Sequence, residues 1–168
     1  PGGKGANQAV AVARLGSTVE MIGCVGSDAN GDAIRENFKT QGVQTTHLQT
    51  IEGERTGTAH ITLAEGDNSI VVVQSANQHV QFADDTLAPI LADSEIILLQ
   101  LEIPIETVET VAREAHAAGI PVVLNPAPAM SLSPELIEHV TYLTPNEHEC
   151  GLIFGQDQPI EHWLMEYP

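Results

Sequence analysis

The chain has 168 residues, 42% of them hydrophobic and 17% charged, which suits one globular domain and excludes a disordered chain. Six Lys and Arg face 23 Asp and Glu, a formal net charge of −17, so nucleic-acid backbones and anionic lipid surfaces would repel it. Two cysteines are too few for a disulfide framework, and Cys24 and Cys150 read as small buried hydrophobes. In chain order, Pro1-Gly2-Gly3-Lys4-Gly5-Ala6-Asn7 reads as a glycine-rich loop that feeds a helix stopping at Gly16. That helix is small and apolar, which predicts burial on several sides. Val19 to Val25 predicts a buried strand, and Asp28 caps a helix with Ile34 and Phe38 on one face that ends at Gly42. Thr58 to Leu63 alternates with period two and predicts a half-buried strand with Ala59, Ile61 and Leu63 on its inner face. Glu65-Gly66-Asp67-Asn68 is turn chemistry, and Ile70 to Val73 is the returning strand of a hairpin.

Beyond Asp84 the pattern alternates between strand and helix. Glu95 to Leu101 predicts a buried strand, interrupted as a membrane span by Gln100, Glu102 and Pro104; roughly 18 unbroken apolar residues would be needed to cross a bilayer. Ile105, Val108, Ala112 and Ala115 form a helical stripe ending at Gly119, with Glu109 and Arg113 as an i, i+4 pair outside. Pro121 to Leu124 and Val140 to Leu143 read as strands, Ser133 or Pro134 starts a short helix, and Asn146 opens another. Alternation of this kind implies a parallel sheet with helices on its faces. Residues 159–168 read as an amphipathic helix just beginning. With a start at Pro1 rather than Met, the chain is expected to be a piece of a longer protein, cut at both ends.

The glycine-rich start lacks the spacing of a Walker loop, because Gly5 and Ala6 follow Lys4; it also lacks the third glycine of a dinucleotide fingerprint, where Gln8 stands. Either a ligand-approaching backbone, with Lys4 and Asn7 as polar contacts for a polyhydroxylated ligand, or a tight turn before a packed helix would use these glycines. Glu102 ends an apolar strand, the edge where open α/β sheets bind ligands, and would accept from two neighbouring hydroxyls; otherwise it is a solvated strand end. Asn125-Pro126-Ala127-Pro128-Ala129 follows the next strand and would form a stiff pocket wall. Asn146 and Glu149 are three apart on one helical face. They make either a capping box or a polar pair facing nucleotide phosphates or Mg²⁺ through water. The seven histidines show no zinc spacing, and no Gly-x-Ser-x-Gly elbow supports a hydrolase.

Together these motifs resemble the ribokinase-like family of sugar and nucleoside kinases (phosphofructokinase B-type carbohydrate kinases). The first family signature is matched at Gly2, Gly3, Gly5, Asn7, Ala9, Gly16 and Gly26, and Gly3 to Ala9 takes the form found in members that act on ribose. Gly23, Gly26, Asp28 and Gly31 repeat the next pattern, and Leu99 to Glu102, Asn125 to Ala129 and Thr144 to Glu147 follow in order. The resemblance implies a three-layer α/β/α sandwich with a small β-lid, truncated here, with residues 1–168 forming part of one kinase domain. It implies a cytoplasmic enzyme that moves the γ-phosphoryl of ATP to the 5-hydroxyl of D-ribose. Gly3, Lys4, Gly5, Ala6, Asn7 and Glu102 would hold the sugar, Asn146 the nucleotide, and Glu149 Mg²⁺ indirectly. The hairpin within residues 56–75 would belong to a lid that also builds a homodimer. The family's Gly-Ala-Gly-Asp segment, whose aspartate is the general base, is absent from this sequence. Its place would lie beyond Pro168, with the adenine pocket and a monovalent-cation (K⁺) site, so this chain alone is expected to be inactive. Two alternatives stand beside this reading. One is a fructokinase-like relative and the other a non-catalytic sugar-binding remnant; a nicotinamide dehydrogenase is disfavoured by the missing glycine.

Overall fold

The computed structural model describes residues 2–64, 67–83 and 86–154. Glu65 and Gly66 of the predicted turn, Asp84, and the predicted helix at 159–168 lie outside the described residues. The chain divides into two compact units, 1–80 and 81–168.

The first unit opens with α1 (Lys4–Arg14), followed by β1 (Gly23–Gly26), α2 (Ala29–Gln41) and β2 (Leu48–Ile51). β1 and β2 pair in parallel, Gly23 opposite Leu48 and Gly26 opposite Ile51, so α2 is the crossover of a βαβ unit. The α2 boundaries follow the local chemistry: Asp28 Oδ1 accepts from the Gly31 N–H at 2.9 Å, and Gly42 closes the helix at φ 77°. Phe38 is buried with Ala9, Val25, Val43 and Leu48. The predicted strand from Val19 is shorter than its apolar run; before Gly23 it makes only a bridge between Glu20 and Gln44. Nor is α1 buried on several sides. Ala6, Ala9, Val10 and Ala13, spaced at helical repeats, form a single inward face, and Ala9 is the one fully buried residue of that helix.

A hairpin follows, β3 (Thr58–Ala64) with β4 (Asp67–Val73), antiparallel with Thr58 opposite Val73 and Ile61 opposite Ile70. It ends at a 3₁₀ turn, Ser75–His79. The expected inner face is not covered. Ala59 is exposed, Ile61 is 62% exposed, and Ile70, Val71, Val72 and Val73 are also exposed. Period-two alternation specifies a face, whereas burial needs a second layer, and a two-stranded ribbon does not supply one.

The second unit contains α3 (Leu87–Ala92), β5 (Ile97–Gln100), α4 (Ile105–Ala117), β6 (Val122–Asn125), α5 (Pro134–His139), β7 (Tyr142–Leu143) and α6 (Glu147–Phe154). The strands form a parallel sheet in the order β5-β6-β7. Val108, Ala112 and Ala115 of α4 are fully buried against Leu99, Val122 and Leu124, with Leu136 of α5 joining them. Ser133 caps α5 by accepting from the Leu136 N–H at 3.1 Å. β5 departs from its predicted full burial: Leu99 is buried, Leu98 exposed, as alternation on a sheet with one covered face requires. Glu109 and Arg113 do not pair. Glu109 accepts from the Ser133 hydroxyl at 2.9 Å, and Arg113 meets Glu114 at 3.2 Å. Cys24 and Cys150 are both buried free thiols, and burial raises the titration of each.

Candidate functional site

The carboxyl edge of the β5-β6-β7 sheet carries the predicted polar residues of the second unit. β5 runs into Leu101 and half-buried Glu102. The Leu101 N–H donates to the Ala127 carbonyl at 3.1 Å, which joins the end of β5 to the Pro126–Ala127 segment after β6. Asn125, the last residue of β6, donates from Nδ2 to the Thr144 carbonyl at 3.2 Å, which joins β6 to the loop after β7. Three strand ends, bearing Glu102, Asn125 and Asn146, therefore line one edge, where parallel sheets place ligands.

Asn146 and Glu149 are bound to each other. The Asn146 N–H donates to Glu149 Oε2 at 2.8 Å and its amide Nδ2 to Oε1 at 3.1 Å, while the Glu149 N–H donates to Asn146 Oδ1 at 2.8 Å. This is a reciprocal capping box at the start of α6, and it buries Glu149 to 8% exposure. The capping reading of the motif is thus realised. It leaves the second Nδ2 hydrogen of Asn146 for another acceptor, and a lone pair on each Glu149 oxygen. Such a carboxylate can accept from a metal-bound water without giving up its cap, so the donor set fits an outer-sphere contact to Mg²⁺.

In the first unit the glycine-rich segment is not a loop. Lys4, Gly5, Ala6 and Asn7 already form the first turn of α1, and the Asn7 N–H donates to the Gly3 carbonyl at 3.0 Å. Gly3 is the N-cap, at φ 101° and ψ 143°, a conformation that glycine takes without strain. No side chain caps this helix and no acidic residue lies in its first turn. The leading N–H groups of a helix find no acceptor within it, and they favour electron-rich ligands. Asn7 is exposed and lines a shallow groove of about 400 Å³ between α1 and α2. A second hollow of this unit, about 800 Å³, lies along α2 beside Arg35, Lys39 and Thr45 and holds none of the predicted site residues.

Sequence reasoning missed Thr56. It is buried at the base of the hairpin; its hydroxyl donates to Asp28 Oδ1 at 2.5 Å and accepts from the Gly26 N–H at 3.0 Å, and its own N–H donates to Asp28 Oδ2 at 3.0 Å. The Thr56 hydroxyl, the Gly31 N–H and the Thr56 N–H hold the Asp28 carboxyl below the usual carboxylate range. The glycines of the motif serve this junction. A Cβ on Gly26 would stand 2.4 Å from the Glu54 carbonyl oxygen, and one on Gly31 would stand 2.3 Å from that of Gly26. No local pattern marks Thr56, because its partner Asp28 lies 28 positions away.

Among the described residues, no group of three or more His, Cys, Asp or Glu is placed to hold a metal, and no helix is long and apolar enough to cross a membrane. The family model for pfkB family carbohydrate kinases matches residues 1–166. The chain belongs to this family. As a pfkB family member it is 51% identical over 170 residues to a ribokinase of Bacillus subtilis, covering all of this chain and 57% of the relative. It is 45% identical over 156 residues to a ribokinase of Haemophilus influenzae, covering 92% of this chain and 51% of that one. The solved structure of Arabidopsis thaliana ribokinase complexed with ribose and ATP superposes with a TM-score of 0.88 at 34% identity, over 98% of this chain and 55% of that one. The α/β architecture is accordingly the ribokinase-like fold. This pfkB chain spans about half the length of the curated relatives it matches.

Proposed function

We propose that the intact protein transfers the γ-phosphoryl group of ATP to the 5-hydroxyl of D-ribose, giving ribose 5-phosphate. The observation that carries this reading is the sheet edge in which Glu102, Asn125 and Asn146 stand at the ends of β5, β6 and β7, in a pfkB chain 51% identical to a ribokinase. Gly3, Lys4, Gly5, Ala6 and Asn7 hold the sugar from the uncapped start of α1. Glu102 accepts from two sugar hydroxyls, which suits a carboxylate with four lone-pair sites. Asn146 donates its second amide hydrogen to the nucleotide phosphates, and Glu149 accepts from a water of the metal shell. Mg²⁺, when bound with ATP, neutralises charge on the phosphoryl oxygens. The chain's own part is to bind and orient; positioning of this kind carries much of phosphoryl-transfer catalysis. No general base is assigned to a residue of this chain, so the 168-residue chain alone is inactive.

Both units are parts of one kinase domain in this proposal, and the hairpin within residues 56–75 is its lid. Its exposed Ile61, Ile70 and Val71 support a homodimer formed through the lid. The enzyme is cytoplasmic and uses a K⁺-type monovalent cation, to which no residue here is assigned. A substrate panel on the intact protein tests the proposal. Ribose should give the highest kcat/KM among ribose, 2-deoxyribose, fructose and nucleosides, with ribose 5-phosphate as product. Fructose or a nucleoside outrunning ribose rejects the ribose assignment, and absence of any sugar phosphorylation rejects the kinase reading.

A further inference from the structure

One contact lies outside everything the kinase reading uses. The rings of His116 and His139 are in contact, with centroids 5.2 Å apart and planes tilted by 47°. His116 sits in the last turn of α4 and His139 in the last turn of α5. The two helices also meet near their beginnings, where the Ser133 hydroxyl donates to Glu109. They therefore run in the same sense, and their carbonyl ends converge on the histidine pair. Leu136, three residues before His139, anchors α5 in the core that holds Ala112, four residues before His116. Packing thus fixes the backbone beneath both rings.

We propose that His116 and His139 form a two-imidazole site for a borderline transition-metal ion of the Zn²⁺, Ni²⁺ or Cu²⁺ class, with water completing the coordination. Distance supports this. An imidazole nitrogen sits about 2.1 Å from such a metal, which places each ring centroid about 3.2 Å from it; two rings at a tetrahedral angle then have centroids about 5.2 Å apart. The local field supports it too. Helix carbonyl ends favour a cation, and residues 81–168 carry one Lys or Arg against fifteen Asp and Glu. Imidazole selects this metal class over Mg²⁺, which prefers oxygen ligands, so the site is separate from any metal that accompanies ATP. A bound ion would staple α4 to α5.

Calorimetry on the intact protein with Zn²⁺ or Ni²⁺, in buffer already saturated with Mg²⁺, tests the site. One ion per chain should bind, His116→Ala and His139→Ala should each weaken it at least tenfold, and His47→Ala should leave it unchanged. The metal should also raise the Tm of the parent and not of the two histidine variants. Unchanged affinity in both variants, or loss with His47→Ala, overturns the proposal. Cu²⁺ electron paramagnetic resonance on the unmodified protein decides independently of any variant's folding. Hyperfine coupling to two imidazole nitrogens per copper is expected, and coupling to one or none overturns the site.

Discussion

The starts of α1 and α6 are the two helix ends that the sequence marks as ligand-binding, and they are built in opposite ways. α1 begins at Gly3 with no capping side chain. α6 begins with three hydrogen bonds between Asn146 and Glu149. At α1 no side chain caps the leading N–H groups, so holding the helix end and binding a ligand are not tasks of one capping side chain. At α6 the same residues hold the helix together and, in the proposed function, also address the nucleotide. Function and stability should therefore separate at the first site and mix at the second.

The largest expected effect tests the first half of that contrast. Gly3→Ala places a Cβ on a backbone at φ 101°, a strain of about 1–3 kcal/mol for a non-glycine residue. Relief of that strain rotates the leading N–H groups of α1. The expected outcome in steady-state assays of the intact protein is a ribose KM raised tenfold or more, with the ATP KM within twofold. An equal rise in both constants would break the contrast, because the glycine would then support the whole fold. Glu102→Gln is the companion change on the second unit. Loss of a charged hydrogen bond, about 1.5–3 kcal/mol, raises the ribose KM roughly tenfold to a hundredfold. Unchanged kinetics would return Glu102 to a solvated strand end.

At α6 the signature should be mixed. Asn146→Ala removes all of its side-chain bonds and leaves the buried Glu149 carboxylate with one donor, the backbone N–H. A lost cap costs about 0.5–2 kcal/mol, a few degrees of Tm for a protein of this size class. The ATP KM should rise together with that drop. Glu149→Gln keeps one acceptor for the box, so its Tm loss should be less than half as large. A drop in Tm with unchanged ATP kinetics would leave Asn146 as a cap and nothing more.

How far the sequence reveals this molecule depends on the reach of each interaction. Asp28 and Gly42 bracket α2, Ser133 opens α5, and the stripe from Ile105 to Ala115 faces the core, because each rests on neighbours within one or two helical turns. The strands other than β2 (Leu48–Ile51) announce themselves in the same way, α3 (Leu87–Ala92) does not, and the ordered motifs identify the fold family. Two of the misses are long-range and one is local. Glu109 finds Ser133, 24 positions on, instead of Arg113 on its own helix. The alternation of β3 promises a buried face that no second layer of the hairpin covers. Glycine frequency suggests a loop at Gly3 to Asn7, yet one positive φ suffices and helix begins at once.

A third helix start supplies the finest test. At α2 the Asp28 carboxylate caps the helix through Gly31 and also grips Thr56 at the hairpin base. These donors favour the charged form, so the folded-state titration lies below the ordinary 3.8. A lowered carboxylate pKa means that the unfolded chain binds the proton more tightly. The stabilisation is therefore complete above the unfolded value, near pH 4, and is lost as pH falls through the folded one. Asn at position 28 can still accept from one N–H but carries no charge and cannot serve all three donors. Asp28→Asn should lower the Tm of the intact protein at pH 7 by a few degrees at most, and the gap to the parent should narrow below pH 4. A gap that stays constant from pH 7 to pH 3 would show that shape rather than charge matters at this junction. The cap of α2 would then resemble the neutral start of α1 more closely than the carboxylate box of α6.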